Sequence, residues 1–144
     1  MANVLAVCIS QRKGEQKHPV DEIECKIDHG IVGDAHAGNW HRQISLLAQE
    51  SVKKVQEKID FPLKPGDFAE NILTEGISLC TLPVGTVLKI GGIRGEVTQI
   101  GKECHQSCVI RQKAGDCVMP REGIFIKVIE EGTVRPGDTI VIEN

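Results

Sequence analysis

The chain has 144 residues, 40% of them hydrophobic and 26% charged, which suits one domain with a buried core and leaves no room for two. Seventeen basic against twenty acidic residues give a formal net charge of -3, so the broad polycationic surface that binds nucleic acid or an anionic membrane is excluded. The first ten residues lack the basic start and apolar run of a secretory signal, and no stretch nears the roughly 18 apolar residues of a membrane span. The expectation is a cytoplasmic protein.

In chain order, segment 3–9 is rich in Val, Leu and Ile and reads as a strand. Segment 22–27 alternates Ile23, Cys25 and Ile27 with polar neighbours, the period of a half-buried strand. Between them, the polar stretch 11–19 reads as a loop with His18 in solvent. Further strands are expected at 44–47, 86–90, 95–100, 124–129 and 139–143, with turns at Gly33, Gly66, Gly91-Gly92 and Pro136-Gly137-Asp138. One stretch breaks this rhythm. Over 49–59, Val52, Val55 and Ile59 recur at three and four while Lys53, Lys54, Glu57 and Lys58 take the other face, which predicts a short amphipathic helix ending before Pro62. The whole is mainly β with short helices, a small barrel or closed sheet in a single domain over 1–144. Nothing in this size separates a monomer from a dimer.

The six cysteines fall in two classes. Cys8, Cys25 and Cys80 stand alone among apolar neighbours and read as buried small hydrophobes, whereas Cys104, Cys108 and Cys117 fall within fourteen residues. Without a secretory signal, all are expected as free thiols.

Three clusters carry candidate chemistry. In the first, Asp34, His36, His41 and Arg42 lie among Gly30, Gly33 and Gly38; this is either a pocket wall where backbone approaches a ligand or a tight loop capped by Asp34. In the second, Asp67 and Glu70 bring two carboxylates close together, and Asn71 offers an amide suited to stabilising a turn or to reading a heterocycle. The third runs from Lys102 through Cys104, His105 and Cys108 to Cys117 and Arg121. Thiolate and imidazole ligate soft and borderline metals, but the Cys104–Cys108 spacing is not that of a standard zinc site. Lys102, Arg111, Lys113 and Arg121 outnumber Glu103 and Asp116, and cations near a thiol lower its pKa and hold anions.

These clusters resemble, in order and spacing, the MOSC domain, the family related to the C-terminal domain of molybdenum cofactor sulfurases. The resemblance runs through residues 30–36 with Gly38, Arg42-Gln43-Ile44-Ser45-Leu46-Leu47, Pro65-Gly66-Asp67-Phe68-Ala69-Glu70-Asn71-Ile72, Leu82-Pro83-Val84-Gly85 and the 98–104 approach to the cysteine. It implies a barrel-like mixed β-sheet and a pterin-based molybdenum cofactor, with Cys104 as molybdenum ligand or persulfide carrier. Asp34, His36, Arg42, Asn71, Lys102 and Arg121 are the implied cofactor contacts. The implied functions are cofactor handling, delivery or sulfuration; the alternatives are a sulfur carrier for cluster or cofactor assembly, or a small molybdoenzyme reducing N-hydroxylated compounds. The matching partners are a cofactor-biosynthesis protein, a cysteine desulfurase or an external electron donor.

The chain departs from the reductase-like relatives where Glu103 replaces a proline before the cysteine. The expectation is that it also does without their separate N-terminal β-barrel domain and ferredoxin-like cysteine set, so that any redox function would draw on an external donor.

Overall fold

The computed structural model describes residues 2–12, 15–101 and 122–143. In chain order the elements are β1 (Ala2–Ile9), β2 (His18–Val20), β3 (Ile23–Lys26), β4 (Gly30–Ile31), β5 (Ile44–Ala48), α1 (Gln49–Gln56) and β6 (Ile72–Glu75). After a single 3-10 turn at Leu79–Thr81 come β7 (Val87–Ile90), β8 (Ile93–Ile100), β9 (Ile124–Glu130), β10 (Gly132–Val134) and β11 (Thr139–Glu143).

Seven strands close into a barrel in the order β1, β11, β7, β8, β9, β5, β6 and back to β1. Closure rests on a short antiparallel pairing, Ala2 opposite Ile140 and Asn3 opposite Thr139, extended by Val4 N donating to Asp138 O at 2.8 Å. The sheet is mixed because β5 and β6 run parallel, and α1 lies in the crossover that such a pair requires. On the edge of β1 that β11 leaves free, β2 pairs with Val7, Cys8 and Ile9. A second sheet of β10, β3 and β4 packs beside the barrel.

Strand alternation sorts side chains into two cores. Ile44, Leu46, Ile72, Leu88, Ile90, Ile93, Val97, Ile124 and Ile126 fill the barrel, while Leu47, Leu73, Cys8 and Phe125 point outward and are covered by Val52 and Val55 of α1. Every residue of β5 is therefore buried, one face in each core. Val4 and Val7 both enter the barrel although three residues apart, because a register shift between Val4 and Ala6 inserts an extra residue into β1. Opposite, Gly95 leaves space for Ile126, whose Cδ1 would stand 2.6 Å from an added Cβ.

The expected strands and the helix are present, with local corrections. The helix stops at Gln56, and Ile59 lies past its end yet still packs against the outer core. The supposed loop at 11–19 contributes His18 and Pro19 to β2, since the open edge of β1 supplies the partner. Cys80 is half-buried rather than buried, because it sits on the 3-10 turn beside a cleft. No helix among the described residues is long and apolar enough to cross a membrane.

Candidate functional site

At one end of the barrel, Ser10 follows β1, Lys17 precedes β2, and the loop between β4 and β5 carries Asp34, His36, Trp40, His41 and Arg42. These segments meet around Lys17. Its ammonium lies 2.8 Å from Asp34 Oδ1, 3.0 Å from Ser10 Oγ and 3.1 Å from His36 Nδ1. The Lys17 and Asp34 side chains are fully shut from solvent, whereas His36 is 23% exposed. Asp34 spends its remaining acceptor capacity on backbone: Ser10 N donates to Oδ1 at 3.1 Å and His36 N to Oδ2 at 3.0 Å. A buried pair of opposite charges with every proton placed is an internal brace, and it hands the outward-facing role to His36.

The backbone under Lys17 is held as firmly. Lys17 N donates to Gly66 O at 2.9 Å, and Gly66, at φ +91°, approaches so closely that a Cβ there would lie 2.0 Å from the Lys17 carbonyl oxygen. Gly66 belongs to a loop wound about Glu70, whose carboxylate accepts from Gly66 N at 2.9 Å and Phe68 N at 3.1 Å. Burial raises the Glu70 pKa to about 7. Asp67 is likewise taken up locally, Oδ2 accepting from Lys64 N at 2.8 Å. The two carboxylates therefore shape this loop instead of forming an acid–base pair.

Beyond His36 the surface turns aromatic and cationic. The Trp40 ring is parallel to that of His36 with centroids 6.4 Å apart, and Trp40 Nε1 donates to His36 O at 2.8 Å. The Arg42 guanidinium carbon lies 5.5 Å from the Trp40 ring centre and 4.6 Å from that of Phe125, both within cation–π range. Arg42 Nε is buried and finds no hydrogen-bond partner among the described residues. His41 Nε2 is 2.9 Å from Gln99 Oε1, and Thr98 Oγ1 donates to His41 O, which ties the loop to the last residues of β8. A cleft of about 450 Å³ opens alongside, with Asp28, Trp40, His41, Gln43 and Lys127 on its walls.

Of the residues expected from sequence, Asp34, His36 and Arg42 thus share one loop, with Asp34 inside, His36 half-buried above it and Arg42 linked to His36 through the Trp40 ring. Asn71 stands apart. It is fully buried, its Oδ1 accepts from Ser45 N at 3.0 Å and Ser45 Oγ at 3.2 Å, and its Nδ2 donates to Cys8 O at 3.0 Å, so the amide knits β5 to β1. Lys102, Cys104, Cys108, Cys117 and Arg121 lie outside the described residues. The chain reaches that segment from Gly101, whose carbonyl accepts from Gln99 Nε2 at 2.7 Å. Among the described residues no three His, Cys, Asp or Glu side chains gather as metal ligands. Cys8 and Cys25 are buried thiols with pKa pushed up to about 12, far from the thiolate state.

Sequence reasoning missed Lys17, Ser10 and Trp40. Lys17 carries no local signal, since it sits in a polar stretch and its partners are 7, 17 and 19 residues away. Trp40 did carry one: it is the only tryptophan of the chain, two residues before Arg42 in a glycine-rich loop.

A family model for the MOSC domain matches residues 33–141, a span that includes Asp34, His36, Arg42, Asn71 and Cys104 and begins after Lys17. Among solved structures, the YuaD protein from Bacillus subtilis is similar with a TM-score of 0.78 and 21% identity, over 97% of this chain and 94% of that one. YiiM from Geobacillus stearothermophilus follows at 0.74 and 17%, over 100% and 76%, and YiiM from Escherichia coli at 0.64 and 19%, over 99% and 68%. At such identities the likeness is one of fold. No curated protein matches the chain.

Proposed function

The chain belongs to the MOSC domain family, and from that premise we propose that it binds a pterin-based molybdenum cofactor and takes part in its handling, delivery or sulfuration through Cys104. MOSC domains are associated with molybdenum-cofactor-related functions, and the barrel mouth has the donors an anionic, acceptor-rich ligand needs. The observation that carries the reading is Arg42. Its Nε is desolvated and unpartnered among the described residues, and its guanidinium is held by Trp40 and Phe125 beside the loop that bears His36.

A buried donor without an acceptor costs about 1–3 kcal/mol, a cost that a bound ligand offsets. When bound, the cofactor supplies a redox-active metal. Cys104, three residues beyond Gly101, would be its thiolate ligand. His36 and Arg42 would hold the ligand, Lys17 and Asp34 would fix His36, Asn71 would hold the strands behind it, and Lys102 and Arg121 would add cationic contacts.

The test is native mass spectrometry with metal analysis on protein purified anaerobically from a host that makes molybdenum cofactor, comparing the intact chain with Cys104→Ala. Stoichiometric molybdenum and pterin, lost in the variant, is the expected result. An apo protein bearing a thiol-labile extra sulfur confined to Cys104 would overturn it in favour of a persulfide carrier.

A further inference from the structure

We propose that the cleft of about 450 Å³ between the small sheet and β9 is a ligand site in its own right, one that takes a small apolar monocarboxylate and receives its carboxylate on the Gln43 amide and the Lys127 ammonium. The floor of the cleft carries the argument. Gln43 is only 2% exposed, and its Oε1 accepts from Val128 N at 2.9 Å. A backbone N–H can only donate, so the amide oxygen has to face Val128 and the amide nitrogen is turned away from it. Gly30 closes on the stem of the same side chain, since a Cβ there would stand 2.9 Å from Gln43 Cβ. The amide is thus held at its stem and at its oxygen, while its nitrogen donors meet no acceptor among the described residues. A fixed donor left open at the floor of a cleft is matched by an oxygen acceptor on a ligand.

Strand register supplies the second donor. Ile44 lies opposite Ile126 and Ser45 opposite Phe125, so Gln43, the residue before β5, comes level with Lys127 on the outward face of the sheet. Lys127 lines the same cleft and enters no ion pair among the described residues. An amide nitrogen and an ammonium side by side offer donors only, which a carboxylate satisfies and an amine does not. Asp28, in the turn between β3 and β4, is the one carboxylate among the described lining residues and offsets a single positive charge, which favours a monocarboxylate over a polyanion. The Trp40 ring with Ile27 and Ile129, 47% and 38% exposed, makes the apolar walls for the body of the ligand.

The test titrates benzoate, benzamide and benzylamine separately into isotope-labelled, cofactor-free full-length chain at neutral pH. It follows the side-chain amide signals of Gln43, assigned by their loss in Gln43→Glu, and the indole signal of Trp40, the only tryptophan of the chain. Saturable movement of both signals with benzoate is expected, with binding of the amide and the amine weaker by about tenfold or more. Gln43→Glu keeps an acceptor for Val128 N, and half-exposed Lys127 tolerates replacement by Met; each variant is expected to weaken benzoate binding, read on Trp40, by about tenfold or more.

Absent or non-saturating movement with benzoate overturns the site. Benzamide binding as tightly as benzoate overturns the carboxylate class, and a folded Lys127→Met that binds benzoate as the wild type does overturns the role of the ammonium, even if Gln43→Glu fails to fold. None of these outcomes alters the molybdenum content of intact and Cys104→Ala protein, so this proposal and the proposed function fail separately.

Discussion

Lys17 and Asp34, 17 residues apart in sequence, form a 2.8 Å ion pair from which solvent is wholly excluded. Such a pair does little to stabilise a fold relative to apolar replacements, but breaking it by removing one partner costs about 3–5 kcal/mol, because the other charge is left in the interior. Lys17→Met is therefore expected to lower unfolding stability by about that amount, and adding Asp34→Asn is expected to recover part of the loss. Urea denaturation of the two single variants and the double variant measures the coupling; strictly additive losses would contradict it.

Glu70 sets a pH dependence of the opposite sense to that of an ordinary paired carboxylate. Its folded pKa is raised to about 7 by burial, above the unfolded value, so the folded state holds the proton more tightly. The associated stability is fully present below the unfolded carboxylate range and is lost as the pH climbs through about 7, with a limiting size on the order of 3 kcal/mol. Comparing midpoints of urea unfolding at about pH 5 and about pH 8, Glu70→Gln is expected to flatten the decline seen in the wild type.

Two glycines with similar backbone angles should respond differently to alanine. Gly33, at φ +87°, has open space where a Cβ would go, so Gly33→Ala should cost only the conformational penalty of roughly 1 kcal/mol. Gly66, at φ +91°, would drive its Cβ into the Lys17 carbonyl. Gly66→Ala is expected to lose several times as much and to shift the amide signals of Lys17 and His18; equal losses in the two variants would refute the close approach.

The thiols offer a direct check on burial. Alkylation of the folded protein at neutral pH, read by peptide mass spectrometry, is expected to modify half-buried Cys80 while Cys8 and Cys25 stay intact until the chain is unfolded. Early labelling of Cys8 would mean that the outer core beneath α1 opens in the native state.

Much of the barrel could be read from residue pattern, because Ile, Val and Leu alternate wherever one face of a strand meets the interior, as at Ile124, Ile126 and Val128. What escaped was decided by partners distant in sequence. The three residues of β2 have no pattern of their own and are a strand because the edge of β1 is open beside them. The interior positions of Val4 and Val7 defy alternation until the register shift in β1 is known. The same distinction divides the candidate site. Asp34, His36 and Arg42 lie in one glycine-rich loop and announced themselves together, whereas Lys17 looked like a solvated lysine until the fold enclosed it. Asn71 and Glu70 were visible as polar residues, but only their hydrogen bonds to Ser45, Cys8, Gly66 and Phe68 reveal them as parts of the frame.

Where β8 ends and β9 begins, Ile100 pairs with Ile124 and Gly101 N donates to Gly123 O at 2.6 Å, so the two strands meet as the arms of a hairpin. The stretch bearing Cys104 is thus inserted between two feet that the barrel already holds together. The entropy of closing a segment on two paired feet rises only slowly with its length, so the pairing of Ile100 with Ile124 sets a loose limit on how long the stretch that carries Cys104 can become in divergent relatives of this barrel.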